Sequence, residues 1–326
     1  MCGPRLPIPI GILAFALAAL LPAHAQEWPT KPVRIIVPYS AGSPPDITTR
    51  IVTSRLGERL GQSFVVENKP GAMGTLGLSE LDRQPADGYT AMTLLTPVVV
   101  SPALLPDQPR DFGSDYVPVG QYDWTYSVLV VNPQLPVDDV NDLIGLLREK
   151  PNAYSFASGG HGTPAHLSGE LFNLQNGVKA LHVPYNQFPM AIADLAAGRV
   201  DFMFLTSTVA APQVESGRLK ALAIASSQSR LPGLPDVPTM HELGFDTFDV
   251  RNWDGFIMKA GTPPAVVARF NAALNAVLAD PDTVATLRAT GSDPVAGRTP
   301  DEFRERIRFD QKRLSDLIEQ AGVKLE

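Results

Sequence analysis

Short β-branched runs alternate with helical patterns almost from end to end of this chain, and no other feature restricts its fold so strongly. "VRIIV", Val33 to Val37, reads as a buried strand, and "ITTRIVTSRLGERLG" after it carries Ile47, Ile51 and Leu56 at roughly helical spacing. The strand "SFVVEN", the helix "GTLGLSELDRQ" behind a Gly-rich turn and the strand "YTAMTLL" follow. Parallel strands need crossover helices, so this βαβαβ rhythm predicts an α/β fold with mainly parallel sheets flanked by helices.

After an irregular stretch, Ser101 to Pro118, the rhythm restarts. Strands are expected at "SVLVVNP", "AYSFAS", "KALHVPY", "VDFMFLT" and "LKALAIAS". Helices are expected at "VDDVNDLIGLLREK", at "TPAHLSGELFNLQ" with Leu167, Leu171 and Leu174 on one face, and at "PMAIADLAAG". The C-terminal third reads as helical, in "PPAVVARFNAALNAVLAD", "DTVATLRATG" and "PDEFRERIRFDQKRLSDLIEQAG". Two units with separate restarts predict two lobes. The first is discontinuous, residues 26–122 with 226–326, and the second is 123–225.

The first 25 residues stand apart. Arg5 precedes the apolar run "IPIGILAFALAALLP" and the small-residue site "AHA", the pattern of a secretory signal peptide cleaved near Ala25. No later run reaches the ~18 apolar residues of a membrane span. The single cysteine, Cys2, lies in that leader, so the exported protein has no disulfide and no thiolate. A formal net charge of −7 without a basic patch speaks against nucleic-acid binding. The expected location is the periplasm.

Two strand-to-helix turns draw attention. In "VPYSAGSPPD" a strand ends at Val37, the turn holds Gly42, and proline opens a helix with Asp46 in its first turn. "YSFASGGHGTPAHLSGELF" repeats the arrangement, with Thr163 as N-cap and Pro164 as first helical residue. Each is either an ordinary capped connection or an anion cradle, since first-turn N–H groups lack internal partners. Gly160, Gly162 and Ala165 match G-x-G-x-x-A, but the acid expected ~20 residues on is missing from "HVPYNQ".

Catalytic patterns are absent: no G-x-S-x-G, no P-loop and no H-E-x-x-H. His161 and His166 are off the i, i+4 spacing of shared metal ligation, and His182 could join them only by folding, so no metal and no cofactor are expected. Tyr122, Trp124 and Tyr126 alternate where the lobes should join. On one extended face they would form either packing or a stacking wall for a ring-bearing ligand.

With both turns in view, the chain resembles the tripartite tricarboxylate transporter solute receptors, the Bug family of periplasmic binding proteins. The resemblance rests on "WPTKPVRIIVPYSAGSPPD", "RLGQSFVVENKPGAMGTLG", "PADGYT", "YSFASGGHGTPAHLSGELF", "HVPY", "GRVDFMF", "SGRLKALAIAS", "LPDVPTMHELGF" and "AGTPPAVVARFNAAL", in that order over nearly all the exported chain. It implies a two-lobed class II Venus flytrap with a carboxylate-bearing ligand between the lobes. It places Tyr39, Gly42, Ser43 and Asp46 on the first binding loop, Ser158, Gly159, Gly162 and Thr163 on the second, and Tyr185 on a third segment.

Three departures stand out. Ser43-Pro44-Pro45 replaces a glycine- and hydroxyl-rich run and removes two N–H donors. Leu205, followed by Thr206, stands where the family often has an acid, and Phe188 sits in a run that usually holds glycine. Together with Trp124 and its aromatic neighbours they tilt the expected cargo towards an apolar or aromatic carboxylate. The implied role is that of a monomeric, non-enzymatic receptor delivering its ligand to a permease of one small and one large membrane subunit. The alternatives are an extracytoplasmic sensor and an exported hydrolase.

Overall fold

The computed structural model describes residue 3 and residues 28–105, 107, 110–185, 187–225, 230–246, 248 and 251–321. The rest of the expected leader, with its cleavage site at Ala25, lies outside the described residues. From the first lobe come β1 (Val33–Val37), α1 (Pro44–Leu60), β2 (Phe64–Asn68), α2 (Thr75–Asp82), β3 (Thr90–Leu95), α3 (Thr96–Val99), α4 (Ser101–Leu104) and β4 (Tyr116–Thr125). The second lobe holds β5 (Ser127–Val131), α5 (Val140–Glu149), β6 (Ser155–Ser158), α6 (Pro164–Asn176), β7 (Leu181–Pro184), α7 (Phe188–Ala196), β8 (Phe202–Thr206), α8 (Ser207–Glu215) and β9 (Lys220–Ile224). The chain closes with β10 (Asn252–Lys259), α9 (Pro264–Leu278), α10 (Pro281–Ala289), β11 (Ser292–Pro294) and α11 (Pro300–Ala321).

The strands form two sheets, ordered β11-β4-β10-β3-β1-β2 and β7-β6-β8-β5-β9. The βαβ alternation gives the parallel pairs β1–β2, β1–β3, β6–β7 and β6–β8. The remaining pairs are antiparallel, so the sheets are mixed rather than mainly parallel. In each lobe one strand of the parallel set, β1 or β6, ends at a loop that opens a helix. That is the edge where open α/β sheets place ligands.

Several expectations shift. The C-terminal third is not all helix: β10 is a central strand, between β4 and β3. Asp254 and Gly255 interrupt its apolar run, which hid it from a reading by pattern. The stretch Ser101 to Pro118 contains α4 and the start of β4, and α8 was not anticipated. Leu167 and Leu171 are buried as expected, whereas Leu174 is exposed. The first crossing falls between Thr125 and Ser127 rather than after residue 122. Leu231 and Leu234 pack with Val128 and Leu205, and Met240 and Phe248 pack with Leu129 and Phe172. Leu231, Leu234, Met240 and Phe248 therefore sit on the second lobe, rather than on the first as the boundary at 226 would have it, and β10 is back in the first sheet from Asn252.

The aromatic alternation breaks at a β-bulge. Gly255 pairs with Gln121 and Asp254 with Asp123, leaving Tyr122 without a partner and turning the side chains out of period. Tyr122 packs with Phe256 and Phe270 in the first lobe's core, and its hydroxyl lies 2.8 Å from Thr49 Oγ1. Tyr126 packs with Val128 and Leu205 in the second lobe. No shared stacking wall forms.

Gly255 is required where it stands. A Cβ there would lie 2.2 Å from Phe303 Cζ and 2.9 Å from the Gly120 carbonyl oxygen, which is backbone and cannot swing away. Gly255→Ala is expected to destabilise the protein by about 1–3 kcal/mol, the usual cost of overpacking. Urea unfolding measures it, and an unchanged midpoint would contradict this packing.

Candidate functional site

The two loops are built by the same local device. In α1, Ser43 is the N-cap and Pro44 and Pro45 fill the first two positions; in α6, Thr163 is the N-cap and Pro164 and Ala165 follow. The third helical residue then reaches back to the glycine before the cap. Gly42 N–H donates to Asp46 Oδ2 at 2.8 Å, and Gly162 N–H donates to His166 Nδ1 at 3.0 Å. Both glycines have positive φ, 77° and 73°, a conformation that disfavours a side chain. "GSPPD" and "GTPAH" are thus two versions of one motif.

The versions differ in charge. Burial pushes the Asp46 carboxyl up, but the Arg50 guanidinium, the Gly42 N–H and the Asn68 amide outweigh it and hold the group below its ordinary value. Burial pushes the His166 imidazole down to about 3, helped by His182 and His161. One loop is therefore locked by an ionised acid and the other by a neutral ring.

This device occupies several donors that the sequence assigns to a ligand. The N–H groups of Gly42 and Gly162 are taken. The Ser158 hydroxyl is buried, 2.6 Å from His182 Nε2 and bonded to both the N–H and the carbonyl of Gly160. The Thr163 hydroxyl donates to the Gly160 carbonyl at 2.7 Å. Ser43 Oγ is buried without a partner, and of the two N–H groups that an N-cap side chain can accept, Pro45 lacks one. Tyr185 OH donates to Asp194 at 2.9 Å.

Between the loops lies a cavity of ≈ 210 Å³, lined on one side by Pro38, Tyr39, Ser40, Pro70, Gly71, Met73, Gly74 and Pro97, and on the other by Gly159, His161, Gly162 and Thr163. Of the expected site residues, Tyr39, Gly159, Gly162 and Thr163 line it. Gly42, Ser43, Asp46 and Ser158 stand behind that wall as its framework. Phe188 lies behind Gly159, 3.2 Å from where a Cβ would sit. Thr206 caps α8 and stands, like Tyr185, outside the lining, while Leu205 is fully buried in the second lobe's core. Trp124 is also elsewhere: Arg251 and Arg306 lie over its ring at 4.7 and 4.6 Å from the centroid, and it does not line the cavity.

Met73 and His161 were missed. Gly71, Ala72, Met73 and Gly74 all have positive φ, and strain of this kind at Ala72 and Met73 clusters at ligand clamps. Met73 reaches across to the second loop, where a Cβ on Gly162 would meet its Cε at 2.4 Å. The signal in the sequence was the pair of glycines in "PGAMG", read only as a turn.

His161, His166 and His182, separated in sequence, are brought together, with one ring nitrogen of each within 4.8 Å of the others. The strand pair β6–β7 carries His182 to this place. The cluster is poorly arranged for a metal ion. The His166 and His182 rings stack at 3.9 Å and 19°, which sets their lone pairs side by side, and His166 Nδ1 already accepts a hydrogen bond.

His166 and His182 are held at about 3 and about 4, burial being the main cause in both. A histidine whose folded value is depressed contributes stability that is complete above the unfolded value of ~6.5 and is lost as pH falls towards the folded one. The advantage of wild type over His166→Asn and His182→Asn is therefore expected to be largest above pH 7. It should shrink as pH falls from about 6.5 towards 4, by up to about 1.4 kcal/mol per pH unit for His166 and by less for the more solvent-screened His182. Denaturation series at several pH values test this, and a constant difference would refute it.

Residues 48–323 match the family model described as "Tripartite tricarboxylate transporter family receptor". The chain is 33% identical to protein BugT of Bordetella pertussis over 99% of both chains. Among solved structures it is similar to R. palustris Rpa4515 with adipate, at TM-score 0.83, 30% identity, and coverage of 91% of this chain and 99% of that one. It is also similar to MatC from Rhodopseudomonas palustris with bound malate, at TM-score 0.79, 28% identity, and coverage of 89% and 100%. Among the described residues, no helix is long and apolar enough to cross a membrane. The chain belongs to the tripartite tricarboxylate transporter receptors, a family of periplasmic solute-binding proteins rather than enzymes.

Proposed function

We propose that this receptor captures a small organic carboxylate with an apolar body, aliphatic or aromatic, in the cavity between its two lobes. Delivery to a membrane permease of one small and one large subunit completes the role, with the receptor acting as a monomer after removal of residues 1–25. The observation that carries this reading is the cavity wall. Two strand-to-helix loops face each other across it, Pro38, Pro70, Met73 and Pro97 make much of it apolar, and no acidic side chain lines it. An acidic lining would repel an anion; a neutral wall at two helix entries favours one.

The adipate and malate bound to the two neighbours support the chemical class. The apolar body follows from the lining here rather than from the aromatic trio, which the bulge at Tyr122 disperses. A cavity of ≈ 210 Å³ is below the ~300–1,000 Å³ of sites for drug-sized molecules, which fits a small cargo. The expected binding set is Tyr39, Ser40, Met73, Gly159, His161 and Thr163, with Asp46, Ser158 and His166 holding the loops.

Thermal denaturation with a panel of dicarboxylates, aromatic carboxylates, amino acids, neutral sugars and cations tests the reading. A ligand at 100 times its dissociation constant is expected to stabilise the protein by about 2.7 kcal/mol. Shifts with carboxylates alone are the expected outcome. Shifts with sugars or cations and none with any carboxylate would overturn it.

A further inference from the structure

Among the residues that line the cavity, His161 is the one that brings an imidazole, whose ring N–H can donate to an anion. Its Nδ1 is buried without a hydrogen-bond partner, a state that costs free energy until something pairs with it. The loop presents it between two positive-φ glycines, Gly160 at 113° and Gly162 at 73°, with Gly162 packed under Met73 of the other lobe.

We infer that His161 reads the carboxylate of the ligand and gives the receptor its preference for an anion over a neutral molecule of the same shape. This rests on the carboxylate reading and adds to it the residue that enforces the class.

Two lines of geometry carry the inference. The first is the shortage of other donors. The N–H groups of Gly42 and Gly162 are bound to Asp46 and His166, and the hydroxyls of Ser158 and Thr163 are bound to the Gly160 backbone. An anion entering the cavity therefore meets few free donors on the second loop, and a hydrogen bond from the His161 imidazole to an ionised carboxylate is a charge-assisted one.

The second is the neutrality of what faces His161. From α6 comes His166, edge-on at 5.2 Å between centroids; from β7 comes His182, edge-on at 5.1 Å. Burial keeps both uncharged at neutral pH, so neither competes with His161 as a charged partner for an anion. From the first loop comes Tyr39, whose phenol burial and Asp254 hold above its ordinary value and therefore neutral. Glu170 lies beyond His166, its Oε1 3.7 Å from His166 Nε2, and burial raises its carboxyl. No acid among the described residues forms an ion pair with His161, which leaves the place of the counter-charge to the ligand.

Calorimetric titration of the purified receptor with malate, adipate and benzoate, each beside its amide, tests this. Wild type is expected to favour an acid over its amide about tenfold or more, the usual worth of one hydrogen bond to a charged group. His161→Gln and His161→Ala should weaken acid binding about tenfold or more relative to amide binding, lowering the acid-to-amide ratio. Wild-type circular dichroism in the variants establishes that they are folded. If the acids bind and folded variants keep the wild-type acid-to-amide ratio, the role of His161 is wrong while the carboxylate reading stands. If none of the acids binds wild type, both fall together.

Discussion

Both halves of the site depend on one hydrogen bond made twice: the third residue of a helix accepts the N–H of the glycine that precedes its cap. Proline at the first helical position leaves the chain no flexibility in φ there and removes a donor that would otherwise need an acceptor. The glycine must then take a left-handed conformation to bring the strand end round, and its N–H would point into the loop unpaired. Asp46 and His166 close that gap. Once they do, the position of each cavity-facing residue follows from a few rigid dihedrals rather than from a mobile loop. A flytrap cleft works only if its walls are preformed, because ordering them on binding would consume much of a small ligand's affinity.

The same bond made with two different acceptors gives the cleft its polarity. Asp46 brings a charge into the first loop, and Arg50 and Asn68 are enlisted to hold it. His166 brings none, and it sits among aromatic rings: Phe156 at 6.4 Å and His182 stacked at 3.9 Å. The positive end of α1 is thus partly offset by its own acid, whereas that of α6 is not. The second loop is therefore the more positive side of the cavity. The two prolines of the first loop are consistent with this division, since a loop that supplies fewer donors can serve as the apolar wall.

Most of the fold was legible because its signals are local. β1, β6 and the helices after them announce themselves by β-branched runs, prolines and apolar spacing. What failed to show was set by pairing across the chain. β10 reads poorly as a strand because its centre is Asp254 and Gly255. Those residues make sense only beside Asp123, whose Oδ1 accepts the Asp254 N–H at 3.1 Å, and beside Phe303, which occupies the missing side chain's space. The bulge at Tyr122 is likewise a property of two strands and not of one. At the site, the loops and Tyr39, Gly159 and Thr163 could be read from the sequence. The loss of the glycine N–H donors could not, because it requires knowing that residue 46 or 166 folds back on its own loop.

The aromatics at the crossing serve a different purpose from the one their spacing suggests. Arg251 and Arg306 both lie over the Trp124 ring, and Arg306 with Arg313 holds Asp310, which accepts the indole N–H of Trp253 at 2.7 Å. Those residues belong to the strands that link the lobes and to α11. That helix packs Phe303 and Ile307 on the first lobe's core and Leu314, Leu317 and Ile318 on the second's. A helix rooted in both cores therefore ties the two lobes together. Trp124, under two arginines of that linkage and outside the cavity lining, serves the join between the lobes.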